Sequence, residues 1–321
     1  MSYLAKYAIG VDIGGTNIKI GVVSDSGKLV RSVSMKTEAE KGPKKVIANI
    51  INGIDELLSN NKFKILGIGI GCPGVVCVEK GIVENAPNLK NWNNIKLGPI
   101  IKKKFDYDVY IENDANAAAI GELIFGAGKK YPSFVMVTLG TGVGGGIVFN
   151  KEIFRGDFGA AGEIGHSSID INGPKCNCGS TGCIEAYVGN QYLKEIVKKE
   201  LLENKKSKIW KLVENDLERV SPRIVQNAVV LGDKYALSVV VRMGKQLGTA
   251  LTSIANVLDI STFIIGGGVA GFGKPLFDTT KSTMKSRILL SLKNRVVVVP
   301  AKLKNEAGIK GASSLVFYKD Y

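Results

Sequence analysis

The sequence predicts an α/β protein made of two related domains that face one cleft. Three observations carry that prediction. Strand and helix signals alternate along the chain, which implies a mainly parallel sheet covered on both faces. Two stretches, Ile9 to Val23 and Val135 to Phe149, both read as strand, glycine-threonine turn, strand. Glycine, at 39 of 321 residues, is well above its usual ~7% and clusters at those turns. The expected division is a smaller α/β domain from 1–112 with 303–321, and a larger one from 113–302.

The elements follow in order. Tyr7 to Val11 is a strand closed by the turn Asp12-Ile13-Gly14-Gly15-Thr16, and Asn17 to Val23 and Leu29 to Ser34 are the next strands. Pro43 to Ser59 places Val46, Ile47, Ile50, Ile54, Leu57 and Leu58 at helical spacing, with proline in the first turn. Ile65 to Ile70 and Val109 to Glu112 are apolar runs of strand length, and Asp114 to Phe125 is alanine-rich and helical. Phe134 to Leu139 is a strand, Gly140 to Gly146 a glycine turn, and Ile147 to Phe149 opens another strand. Beyond Ile184 the pattern turns helical. Asp233 to Leu258 puts Val240, Met243, Leu247, Leu251, Ile254 and Leu258 on one stripe, the mark of a long buried helix. Thr262 to Ile265 is a strand ending in Gly266-Gly267-Gly268, Val296 to Val299 a last strand, and Ala307 to Phe317 a closing helix.

Composition narrows the function. The chain is 45% hydrophobic and 22% charged, which excludes a disordered chain, a collagen and a disulfide scaffold. The net charge of +14 lies in scattered lysines such as Lys102-Lys103-Lys104 and Lys205-Lys206. There is no arginine-rich arm, so nucleic acid is not an expected partner. A diffuse positive field still attracts small anions such as nucleotides. No run of 18 apolar residues exists, so no membrane span is expected. Met1 to Lys6 lacks the apolar stretch of a signal peptide. Five cysteines, an odd number, fit a reducing cytoplasm better than a disulfide framework.

The glycine turns read as phosphate cradles, because backbone N–H groups there can point inward without a Cβ in the way. Thr16 and Thr141 add hydroxyl donors, and Lys19 lies just beyond the first turn. Asp12 beside such a nest is repulsive to phosphate unless a cation intervenes, which points to Mg²⁺ held directly or through water. Two standard motifs match falsely. Gly69 to Gly74 fits G-x-G-x-x-G, but Val75 to Val83 reads as strand where a helix is required. Gly268 to Lys274 has P-loop spacing, but Pro275 stands where Ser or Thr would hold magnesium.

Cys176, Cys178 and Cys183 sit on a glycine-bent loop, and the only histidine of the chain, His166, precedes them by ten positions. Three thiolates and one imidazole complete a closed tetrahedral site, hence a structural Zn²⁺. Cys72 and Cys77 read as plain buried residues. Glu112-Asn113-Asp114 ends a strand and begins a helix. Asp114 is either an N-cap or a functional carboxylate at the carboxyl edge of a sheet, able to accept a hydroxyl proton during phosphoryl transfer. The residues alone leave both open.

Five motifs occur in one order: Asp12-Ile13-Gly14-Gly15-Thr16, Glu112-Asn113-Asp114-Ala115-Asn116, Leu139-Gly140-Thr141-Gly142 with Gly144-Gly145-Gly146, Gly162-Glu163-Ile164-Gly165-His166, and Cys176-x-Cys178-Gly179-x-x-Gly182-Cys183-x-Glu185. Together they resemble the ROK family of sugar kinases and repressors over essentially the whole chain, most closely its bacterial ATP-dependent glucokinases. The resemblance implies an actin-like (ribonuclease H-like) two-domain fold with sugar and ATP in the cleft. It implies Asp114 as catalytic base and Asn113, Glu163, His166 and Glu185 as sugar ligands. Loops at Pro73-Gly74 and Pro87-Asn88 would border the sugar. Asp12, Gly14, Gly15, Thr16, Lys19, Thr141, Gly142, Gly267 and Gly268 would serve Mg²⁺ and the nucleotide phosphates. His166 would then use one ring nitrogen for zinc and the other for sugar.

About eleven residues precede Asp12, too few for the helix-turn-helix region of the family's repressors, so the kinase branch is expected. The expected reaction is ATP-dependent phosphorylation of glucose at its 6-hydroxyl, in the cytoplasm, by a homodimer or homotetramer. Kinases for N-acetylmannosamine, fructose or allose, a polyphosphate-using kinase, and a non-enzymatic sugar-sensing regulator are the alternatives.

Overall fold

A computed structural model describes residues 5–59, 63–86 and 88–318. The strands are β1 (Tyr7–Ile13), β2 (Asn17–Ser24), β3 (Leu29–Lys36), β4 (Ile65–Cys72), β5 (Val75–Cys77), β6 (Ile82–Asn85), β7 (Asn93–Ile95), β8 (Val109–Asn113), β9 (Phe134–Leu139), β10 (Val143–Phe149), β11 (Glu152–Phe154), β12 (Thr262–Gly266) and β13 (Val297–Pro300). The helices are α1 (Pro43–Leu58), α2 (Leu97–Phe105), α3 (Asp114–Phe125), α4 (Glu185–Val188), α5 (Asn190–Leu201), α6 (Ile209–Leu212), α7 (Pro222–Val230), α8 (Lys234–Leu258), α9 (Lys274–Arg287) and α10 (Ala307–Tyr318).

The chain divides into two compact units. The first holds Met1–Pro132, Gly146–Gly162 and Lys302–Tyr321; the second holds Ser133–Gly145 and Glu163–Ala301. The first unit therefore runs past residue 113, because α3 packs on α10. Its five-stranded sheet has the order β3-β2-β1-β4-β8. This sheet is mixed, not mainly parallel. β1, β4 and β8 are parallel, but β2 is antiparallel to both β1 and β3. The reason is connection length: tight turns can join only antiparallel neighbours.

Both faces of this sheet are covered, and β2 shows how. Adjacent residues of a strand point to opposite faces. Ile20 reaches α1 at Gly53, while Gly21 lies beneath Ile309 of α10. α1 forms because Val46, Ile50, Ile54 and Leu57 make one buried stripe. α10 approaches so closely that a Cβ at Gly69 of β4 would overlap the Ala312 carbonyl. Burying these aliphatic side chains contributes about 1.5–3 kcal/mol for each of Ile9, Ile68, Ile70 and Ile50, all fully buried.

The second sheet has the order β11-β10-β9-β12-β13, and the division between units falls within β10. Its strand order and connectivity repeat those of the first sheet. In the second unit β12 runs parallel to both β9 and β13. The long helix α8 buries Val240, Met243, Leu247 and Leu251 as its stripe predicts, while Ile254 and Leu258 are only half-buried near its end. A small antiparallel sheet, β5-β6-β7, follows Gly74. It stands where a dinucleotide motif would need a helix. No single helix among the described residues is long and apolar enough to cross a membrane.

Candidate active site

Site residues of the first unit converge on one sheet edge because β1, β4 and β8 are parallel and in register. Asp12 pairs with Gly71, and Gly71 with Glu112. Neighbouring strands lie about 4.8 Å apart. The turn after β1, the Gly74 loop after β4 and the Asn113–Asp114 step after β8 are therefore carried on the carboxyl edge of the same sheet, where open α/β sheets bind ligands.

Asn113 is the N-cap of α3. Its side-chain carbonyl accepts the N–H groups of Ala115 (2.9 Å) and Asn116 (3.2 Å). Its amide donates to the Gly74 carbonyl at 3.0 Å. Capping thus falls to Asn113, not to Asp114, and Asn113 also ties the Gly74 loop to the helix. Asp114 is the first residue of α3 and is exposed, with Oδ1 accepting the Ala115 N–H at 2.8 Å. Behind it, burial and then the Asp114 charge push the thiol of fully buried Cys72 well up, so that thiol is inert. Cys77 is only half-buried, against the expectation, with Sγ 3.8 Å from Glu79.

Asp12 stands opposite Lys19 in the β1–β2 ladder. Burial raises its carboxyl above the usual range, with the Lys19 charge partly opposing. The carboxylate lies against Gly308 at the start of α10, where a Cβ would overlap it. Gly15 and Thr16 are exposed at the turn, and the Asn88 side chain lies near Gly15. A half-buried carboxylate at the mouth of an open turn fits the oxygen donor of a Mg²⁺ site. Pro87 lies outside the described residues.

The second unit holds the other residues. Its glycine turns follow β9 and β12, which are adjacent and parallel, with Thr138 opposite Gly266. Gly140 donates to the Gly142 carbonyl at 3.0 Å to close the first turn. Asn190 and Gln191 at the start of α5 donate to the carbonyls of Gly140 (3.0 Å) and Thr141 (3.3 Å). Positions around Gly140 and Gly268 are open, with no atom where a Cβ would reach. That leaves room for a phosphate to approach the backbone. Gly267 has φ +88° and packs on Leu139.

Gly142 also makes room for a neighbouring carboxylate. A side chain there would overlap the Glu185 carboxylate. Glu185, the first residue of α4, accepts the Val143 N–H at 2.9 Å through Oε2, and its Oε1 lies 3.9 Å from Cys176 Sγ. One carboxylate so links the glycine turn to the cysteine loop.

That loop brings His166, Cys176, Cys178 and Cys183 together, with one donor atom of each within 4.8 Å of all the others. Cys178 and Cys183 sulfurs are 3.6 Å apart, and Cys176 Sγ is 3.8 Å from His166 Nδ1. Two Zn–S bonds of about 2.3 Å at a tetrahedral angle place sulfurs roughly 3.8 Å apart, so the donor set fits zinc. Burial and the neighbouring thiols push Cys183 up to about 11, whereas hydrogen bonds, first from the Ser180 backbone, lower Cys178. His166 Nε2 faces Glu163, 3.9 Å from Oε2. The two ring nitrogens thus serve the two neighbours separately.

A model of the ROK family matches residues 8–319. The chain belongs to the ROK family. Glucokinase from Thermotoga maritima is 34% identical over 96% of both chains. The xylose repressor of Bacillus subtilis is 31% identical over 97% of this chain and 77% of its own. A ROK glucokinase from Streptomyces griseus, solved with glucose and AMPPNP, superposes with a TM-score of 0.84 at 30% identity, over 96% of this chain and 98% of that one. The architecture is the actin-like, ribonuclease H-like two-domain fold of ROK sugar kinases.

Proposed function

We propose that this ROK protein is an ATP-dependent hexose kinase that converts glucose to glucose 6-phosphate. The observation that carries this reading is Asp114: an exposed carboxylate on the carboxyl edge of β8, held by a helix capped by another residue. The reading draws further support from similarity to glucokinases from Thermotoga maritima and Streptomyces griseus.

Asp114 accepts the proton of the sugar 6-hydroxyl as that oxygen bonds to the terminal phosphorus and the bond from phosphorus to the leaving ADP oxygen breaks. Glu163, His166 and Glu185 orient the other hydroxyls, and the remaining amide hydrogen of Asn113 assists. Open backbone at Gly140 and Gly268, with Thr16 and Thr141, cradles phosphate oxygens. Asp12 would hold Mg²⁺, which when bound neutralises phosphate charge. The cysteine loop with His166 would hold a structural Zn²⁺. The protein works in the cytoplasm, where ATP and reduced thiols coexist.

ADP release coupled to an indicator reaction, across glucose, N-acetylmannosamine, fructose and allose, tests the substrate. Glucose should give the highest kcat/KM. Asp114→Asn should lower kcat by at least ~10²; near-normal turnover in that variant removes the base assignment. Similarity to the xylose repressor favours a second reading, a sugar-binding regulator without phosphoryl transfer. Turnover by the wild type that is lost in Asp114→Asn rules that reading out.

A further inference from the structure

Glu112 precedes the catalytic step by two residues and is 2% exposed. Its carboxylate gathers three donors. Oε2 accepts from Arg155 Nε at 2.8 Å, and Oε1 accepts from the Asn113 backbone N–H at 3.0 Å and from Asn116 Nδ2 at 3.2 Å. Arg155 follows β11, and its carbonyl accepts the Ala161 N–H at 3.0 Å to close a short loop. A loop 43 residues along the chain from Glu112 is thereby tied to the first turn of α3.

Stability alone explains this poorly. In an ion pair with one buried and one part-exposed partner, the cost of desolvating the carboxylate offsets much of the attraction. Moreover, the Asn116 amide points at Glu112 while its Oδ1 stays buried without a hydrogen-bond partner among the described residues, which costs stability. What the three donors do achieve is to fix the geometry at the end of β8.

We propose that Glu112 and Arg155 are positioning residues for phosphoryl transfer: their ion pair fixes the Asn113–Asp114 backbone so that Asp114 meets the sugar hydroxyl in line with the phosphorus. This rests on the kinase reading above. Glu112 itself never touches the substrate. It acts by setting the Asn113 peptide and, through Asn116, the first turn of the helix that carries Asp114. Reacting groups displaced by about 1 Å lose ~10² in rate.

Arg155 is about one-third exposed, at 35% of its side chain, so its variants are the ones least apt to disturb folding. With MgATP and glucose, Arg155→Met and Glu112→Gln should each lower kcat at least tenfold. KM for both substrates should stay within threefold. Arg155→Lys, which keeps the charge, should recover part of the loss. The double variant Glu112→Gln/Arg155→Met should be no slower than the slower single. In an Asp114→Asn background, Arg155→Met should change residual turnover less than twofold, because the residue it acts through is already gone. A purely structural pair would instead lower turnover equally in both backgrounds. Full kcat in Arg155→Met, or equal losses in both backgrounds, overturns the positioning role while leaving the kinase reading intact. Absence of transfer to any hexose by the wild type overturns the kinase reading and this role with it.

Discussion

Asn113 and Asp114 divide two tasks that a lone acidic residue at a helix start could not perform together. Asn113 satisfies the free N–H groups of the first turn and holds the Gly74 carbonyl. The Asp114 carboxylate shares only the Ala115 N–H with it. Asp12 presents the opposite situation, a carboxylate that the fold partly buries. Its raised pKa means that folding favours its neutral form. The resulting stability is complete below the ordinary carboxylate value and disappears as pH rises through the raised one. Once ionised, Asp12 is therefore a destabilising group unless a cation offsets it. Without metal and nucleotide, Asp12→Asn should melt at a higher temperature than the wild type at pH 7, with the gap closing as pH falls. MgATP-dependent turnover should drop by at least ~10². Melting curves across pH check the first outcome; coincident midpoints at every pH would show that burial does not strain Asp12.

At the scale of elements, the cysteine loop, α4 and the Gly140–Gly142 turn form one mechanical assembly. Cys176 donates to the Ser180 carbonyl at 2.9 Å, and Ile184 donates to Ser167 at 3.0 Å, so the loop folds back on the strand-like stretch after His166. Tyr192 of α5 accepts the Asn177 N–H at 2.8 Å. Little apolar side chain is available inside: the buried cluster is Cys176, Cys183 and Ala186 with Tyr192 against it. A four-coordinate ion would supply what that small core lacks. The purified protein should contain about one zinc per chain by elemental analysis. Its removal should raise the glucose KM roughly tenfold, as loss of an orienting partner does, with a smaller effect on the KM for ATP. An unchanged glucose KM after complete removal would separate the metal from sugar binding.

At the scale of the whole molecule, one sheet topology occurs twice, β3-β2-β1-β4-β8 and β11-β10-β9-β12-β13. The chain must therefore leave the first unit and return. Glu122, fully buried in α3, anchors both crossings from within the first unit. It accepts the Ala127 N–H at 2.6 Å, just before the exit after Pro132, and the Leu303 N–H at 2.8 Å, just after the return at Lys302. Glu122→Ala leaves two N–H groups without their acceptor and should destabilise the protein by about 3 kcal/mol. Glu122→Gln, which keeps one good acceptor, should lose less. Urea denaturation compares them; an alanine variant within 1 kcal/mol (roughly the worth of one ordinary hydrogen bond) would mean that the anchor is dispensable.

Local features were legible in the residues themselves. The helical period of 43–58, the glycine turns after two strands, the three cysteines and histidine of one loop, and the acidic step at 112–114 depend on neighbours a few positions apart, and spacing alone reveals them. The mixed sense of the first sheet, the choice of Asn113 as cap, and the role of Gly142 in making room for Glu185 came only with the tertiary structure. So did the ion pair of Glu112 with Arg155 and the hold of Glu122 on Leu303, 181 residues away. Strand order and register bring those partners together, and both are set by the packing of the entire chain, so no local pattern of residue types records them.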